Sequence, residues 1–156
     1  MIRHPVRQNT TMKNILIHAS KILALIIMQV NLSEAQKKID HYSKDIIFFG
    51  KGGGIAGTET TYALLENGDL YKKAGITSKY VLVKSLTKEE TKQTFKNLEF
   101  LGINTMQLND PGNTYNFIQF KDKSHPRIVW SGNTNTPGNL KTFFTILNYY
   151  ANLDQD

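Results

Sequence analysis

Gly52-Gly53-Gly54-Ile55-Ala56-Gly57 spells the GxGxxG pattern. Loops of this kind can cradle a phosphate chain, because bare backbone N–H groups approach the anion closely. That chemistry also needs a helix to open at the loop, so that its N-terminus faces the pyrophosphate. The next residues are instead Glu59-Thr60-Thr61-Tyr62, a strand-prone stretch, and no Gly-Lys-Ser/Thr completes a P-loop. No cofactor is expected on these grounds. Two other uses remain for the glycines. They can relieve a tight bend between strands. They can also form a loop whose main chain approaches a partner closely and pairs with it as an added strand.

The remaining side chains offer little catalytic chemistry. The histidines are His4, His18, His41 and His125, with no HExxH pattern and no pair at metal-ligand spacing. No GxSxG elbow marks a serine nucleophile, and there is no cysteine to supply a thiolate or a disulfide. Glu89 and Glu90 adjoin at the start of a helix, where they favour its dipole. Asp110 belongs to a Pro-Gly turn. Lys88, Lys92 and Lys96 recur every fourth residue and read as a solvated helix face, and Trp130 reads as a core or half-buried sheet residue. A binding protein is favoured over an enzyme, and no metal site is expected.

Charge and leader restrict the partners. The 156 residues carry a formal charge of +6. Arg3, Arg7, Lys13, Lys21 and Glu34 fall in residues 1–35, which leaves the rest only mildly basic at +3. That excess does not argue for nucleic acid or an anionic membrane. Ile22 to Val30 is an apolar run with one glutamine, preceded by Lys13 and Lys21 and followed by Ser33-Glu34-Ala35. A charged region, a short apolar stretch and a small-x-small site make residues 1–35 a signal peptide, cut before Gln36, with Met12 as an alternative start. The apolar stretch falls short of the roughly 20 residues a membrane span needs, and no cysteine follows it for a lipid anchor. The expected location is secreted or periplasmic, and the free protein is expected to be a monomer.

Residues 36–156 read as one α+β domain: an antiparallel sheet of about five to six strands with two helices packed against it. Asp45 to Phe49 is a short strand running into the glycines. Thr60 to Leu65 and Leu70 to Lys73 flank Glu66-Asn67-Gly68-Asp69, where Asn-Gly suits a type I′ hairpin turn. Tyr80 to Lys84 is a further strand. Thr87 and Glu90 form a capping box for a helix that carries Phe95, Leu98 and Leu101 and stops at Gly102. Asn109-Asp110-Pro111-Gly112-Asn113 is a turn cluster. Strands then run from Tyr115 to Phe120, covered on both sides, and from Arg127 to Ser131, joined by a turn at Asp122-Lys123. Pro137 opens a last helix with Leu140, Phe143, Phe144, Leu147, Tyr150 and Ala151 on one broad face.

The order of these features resembles the emfourin family, small inhibitors of thermolysin-like metallopeptidases. It rests on the Gly53-Gly54-Ile55-Ala56-Gly57 segment, the Tyr115-x-Phe117 and Arg127-Ile128-Val129-Trp130 strands, and Pro137 before the last helix. In size and export signal the chain is also similar to the potempins, inhibitors encoded beside secreted bacterial peptidases. The resemblance implies a secreted inhibitor that blocks a peptidase cleft with an extended loop, the target class, metallo or serine, remaining open. The candidate contact residues are Lys51, Gly52, Gly53, Gly54, Ile55 and Thr58 in one loop, and Asn133 and Asn135 in the Gly132 to Gly138 loop. The alternative is an exported binding or adhesion module for an envelope or glycan partner.

Overall fold

Alternation of apolar side chains, period two along each strand, builds a sheet with two buried faces. The computed structural model describes residues 17, 18, 21, 34–75, 79–120 and 127–151. Its strands are β1 (Ile46–Gly53), β2 (Thr58–Leu65), β3 (Asp69–Ala74), β4 (Val81–Ser85), β5 (Asn109–Asp110), β6 (Thr114–Phe120) and β7 (Ile128–Trp130). They lie in the order β4-β3-β2-β1-β6-β7-β5, so β1 is central. All pairings are antiparallel except β5 with β7. The helices are α1 (residues 34–40), α2 (Lys88–Phe100) and α3 (Gly138–Ala151).

The fold is α+β, but the expected five to six strands and two helices are corrected to seven strands and three helices among the described residues. The additional elements are short. β5 pairs only Asn109 with Val129 and Asp110 with Trp130, in the segment expected to be a turn. Two residues carry no periodicity for a sequence pattern to reveal. Residues 34–40 are helical, so the expected cut before Gln36 falls within a helix. Nearly all of the leader, the Asp122-Lys123 turn, His4 and His125 lie outside the described residues.

The first face of the sheet presents Ile47, Phe49, Tyr62, Leu64, Leu70, Ile118, Ile128 and Trp130. α2 covers it with Leu98, and α3 covers it with Leu140, Phe143, Phe144 and Leu147. Phe49 stacks on Tyr62 with ring centres 5.3 Å apart, and Trp130 meets Phe144 edge-on at 4.9 Å. Trp130 is thus a core residue. The α2 capping box forms as expected: Glu90 N–H donates to the Thr87 hydroxyl, and the Glu90 carboxylate accepts from Thr87 N–H at 2.8 Å. Gly102 takes the left-handed conformation after the helix, at φ 66°. α3 begins one residue later than expected, with the Pro137 carbonyl accepting from Lys141 N–H. Asn139 then donates to the Leu101 carbonyl at 2.7 Å, which ties the start of α3 to the end of α2.

The second face carries Ile46, Ala63, Leu65, Tyr71 and Tyr80, with Ile39 of α1 seated on them. Because Phe117 and Ile118 are both buried, β6 is covered on both sides. The Asn-Gly hairpin uses a three-residue loop in place of the expected two-residue turn. Gly68 N–H donates to the Leu65 carbonyl, and Gly68 itself lies at φ 96°. Its tip is anchored from α1 and β4: the Asp69 carboxylate accepts from Lys38 at 2.5 Å, Ser85 at 2.7 Å and Asn67 at 2.9 Å.

Candidate functional site

The glycine segment divides into two parts with different roles. Gly50 to Gly53 are not a loop. They continue β1 and pair with Thr58 to Thr61 of β2 on one side and with Thr114 to Phe117 of β6 on the other. Both edges of this backbone are therefore occupied within the sheet, and a partner's main chain has no free edge there to meet. The turn Gly54 to Gly57 alone leaves the sheet. Gly57 N–H donates to the Gly54 carbonyl, and Gly54 N–H donates to the Asn113 carbonyl at 2.7 Å. Gly54 and Gly57 sit at φ 76° and 56°, where a side chain strains the backbone. Between them Ile55 is completely exposed, at 107% of its reference area.

The paired glycines make room for side chains on the second face. Gly50 and Gly52 alternate on one strand, opposite Phe117 and Tyr115 on the next. A Cβ on Gly52 would stand 2.6 Å from the Tyr115 ring, and one on Gly50 would stand 3.2 Å from Phe117. The aromatic rings thus lie over bare backbone. Arg127 crosses the same strip, its guanidinium carbon 3.6 Å from the Phe117 ring centre, and donates to Glu59 at 2.6 Å. Tyr115 O–H donates to the same carboxylate oxygen at 3.1 Å. Burial, then this hydrogen bond and the negative charge of Glu59, raise the Tyr115 phenol above its ordinary value, against the opposing pull of Arg127. This cluster fixes the root of the β1–β2 hairpin to β6 and β7. It was not singled out from the sequence, although Gly50-x-Gly52 matched against Tyr115-x-Phe117 at period two carries the signal.

The second expected loop is held as firmly. Thr134 accepts from Ser131 N–H at 3.0 Å and donates to the Asp110 carboxylate at 2.7 Å, while Thr136 is buried. Asn133 and Asn135, flanking Thr134, are exposed. The register places both loops at one end of the sheet. Gly53 pairs with Thr114, and Asn116 pairs with Trp130 directly before the second loop. β1 and β7 are separated by β6 alone, so the two loops rise from strands about 10 Å apart. Of the expected contact residues, Gly54, Ile55, Thr58, Asn133 and Asn135 are gathered at this end. Lys51 is exposed on the first face. Gly52 lies beneath Tyr115, and Gly53 packs its backbone against Asn113, where a Cβ would stand 2.2 Å from the carbonyl oxygen.

Among the described residues no three His, Asp or Glu side chains lie close enough to hold a metal ion. No described helix is long and apolar enough to cross a membrane. No protein-family model matches the chain, and no curated protein matches it at a significant level. The family resemblance therefore rests on the order of motifs.

Proposed function

We propose that this protein is an exported inhibitor of a bacterial peptidase, which it engages with the end of the sheet formed by residues 54–57 and 131–137. The observation that carries this reading is the hairpin tip: a fully exposed Ile55 held between two left-handed glycines, on a strand pair braced on both sides. Burying this side chain in a partner pocket is worth about 2 kcal/mol. Bracing lowers the ordering cost of binding, because the tip enters a cleft already shaped. Asn133 and Asn135, displayed by a loop tied down through Thr134, supply polar contacts beside this apolar anchor. Side chains at a tip mediate the contact in this reading, in place of strand addition to the glycine backbone.

The test is stoichiometric titration of the protein against secreted metallopeptidases and serine peptidases. Inhibition is expected for at least one class, with the hairpin left uncut. Ile55→Asp should weaken that inhibition about 30-fold, the loss typical of a hot-spot anchor, with an unchanged unfolding midpoint. Rapid cleavage within residues 54–57, or equal inhibition by the I55D variant, overturns the reading. Binding to an envelope or glycan partner without peptidase inhibition would assign this end to an adhesion module.

A further inference from the structure

The two edges of the sheet are finished differently. At one edge β5 contributes two residues, too few to template another strand. At the other edge β4 runs five residues from Val81 to Ser85, and among the described residues it pairs only with β3. Three consecutive aliphatics on it, Val81, Leu82 and Val83, are 51%, 51% and 40% exposed. The ladder shifts at Val83: Tyr71 pairs with Leu82 and Leu70 with Lys84, which leaves Val83 without a partner residue on β3. An open edge with aliphatics facing outward is the surface on which a further strand is added.

The sequence of the edge selects the occupant. Antiparallel pairing of β4 with a second β4 about a two-fold axis at Leu82 sets Leu82 against Leu82 and Val81 against Val83. Tyr80 then opposes Lys84, and Lys79 opposes Ser85. Every aliphatic of β4 then opposes an aliphatic, and no lysine opposes another. Moving the axis one residue to Val83 opposes Leu82 to Lys84 and loses this complementarity. A two-fold interface requires a patch that complements itself, and β4 has one. We propose that two copies of this chain associate edge to edge through β4, antiparallel about Leu82, and continue the sheet across the dimer. The hairpin tips are not part of this contact, so the proposal stands apart from peptidase binding.

The absence of cysteine permits a direct test on the full chain. Opposed residues in antiparallel strands place their Cβ atoms about 5 Å apart, near the span a disulfide closes. Under mild oxidation Leu82→Cys is expected to form a covalent dimer, while Ile55→Cys, on the more exposed hairpin tip, is not. Sedimentation should show a concentration-dependent dimer for the parent chain. Leu82→Lys, which sets two like charges together on the axis, should be monomeric with an unchanged circular dichroism spectrum. Equal crosslinking at both positions, no crosslinking at either, or a dimer that persists in the L82K variant overturns the proposal.

Discussion

Arg127 reaches Glu59 across two intervening strands: its guanidinium donates at 2.6 Å to a carboxylate on β2, although Arg127 itself immediately precedes β7. The side chain lies flat over Phe117 because Gly50 and Gly52 put nothing beneath it on the central strand. One contact thus joins the hairpin that bears Ile55 to the strand that leads into the Asn133 loop. Both ends of the ion pair are about one-third exposed, so solvent screening leaves the charge attraction itself modest.

Arg127→Met should accordingly cost about 1 kcal/mol, most of it from the lost cation–π contact with Phe117. Glu59→Gln should cost less, because an amide oxygen still accepts from Tyr115. In a double-mutant cycle read by urea denaturation, the coupling between the two positions is expected to be under about 1 kcal/mol. A coupling of several kcal/mol would mean that the pair acts as a buried one.

Strands with a strong period and capped helices were legible from residues alone. Thr87 with Glu90 placed α2 to the residue, and the apolar stripe of α3 is the face that it buries. Misreadings arose where local chemistry and tertiary pairing disagree. Gly50 to Gly53 have low strand propensity, yet they are strand because β2 and β6 pair with them from both sides. That pairing is long-range, and a local pattern of glycines does not reveal it. The type I′ expectation at Asn67-Gly68 failed for a similar reason. The loop takes one more residue so that Asn67 N–H can donate to the Tyr42 hydroxyl and Gly68 can accept from Leu86 N–H. The place of Ile55 on a turn between glycines was legible by position, and the Arg127–Glu59 brace at the root of that hairpin was not.

The glycines should separate sharply under substitution by alanine. A Cβ at Gly50 would stand 1.9 Å from the Thr60 carbonyl oxygen, a backbone atom of the paired strand that cannot move alone. Gly50→Ala is expected to cost about 3 kcal/mol or more, as overpacking against backbone does. Gly54→Ala meets nothing within 4 Å and bears only the left-handed backbone penalty of about 1 kcal/mol. Urea midpoints measure both, and a Gly54 effect as large as that of Gly50 would contradict the twice-paired strand. Gly54 is therefore the clean probe of tip function, whereas Gly53 and Gly50 report on folding.

Asp69 predicts an acid limb of the stability curve. Burial alone would raise its carboxyl, but hydrogen bonds from Lys38, Ser85 and Asn67 outweigh it and hold the group below its ordinary value of 3.8. A depressed folded value favours the charged native state. The stabilisation is present above the unfolded value and is lost as pH falls through 3.8 toward the folded value. Asp69→Asn should cost about 2 kcal/mol at neutral pH, since three donors lose a charged acceptor. The gap to the parent chain should shrink below pH 4, and thermal melts at pH 7, 4 and 3 measure it. A gap that stays constant with pH would show that the charge of Asp69 is not what holds α1 and β4 to the hairpin.

Tyr80 gives the corresponding alkaline limb. Burial against the second-face cluster, reinforced by the negative charges of Asp40 and Glu59, pushes its phenol from 10.0 up to about 12. A raised folded value means that the native state keeps the proton while the unfolded chain releases it. The neutral phenol thus contributes stability below pH 10, and this contribution disappears as pH rises through 12. Ultraviolet difference titration at 295 nm should show a late-ionising tyrosine that is missing in Tyr80→Phe, and the parent chain should lose stability between pH 10 and 12 more steeply than this variant. Ionisation of Tyr80 at its ordinary value of 10.0 would mean that the ring is open to water, and that α1 does not close over this part of the sheet in solution.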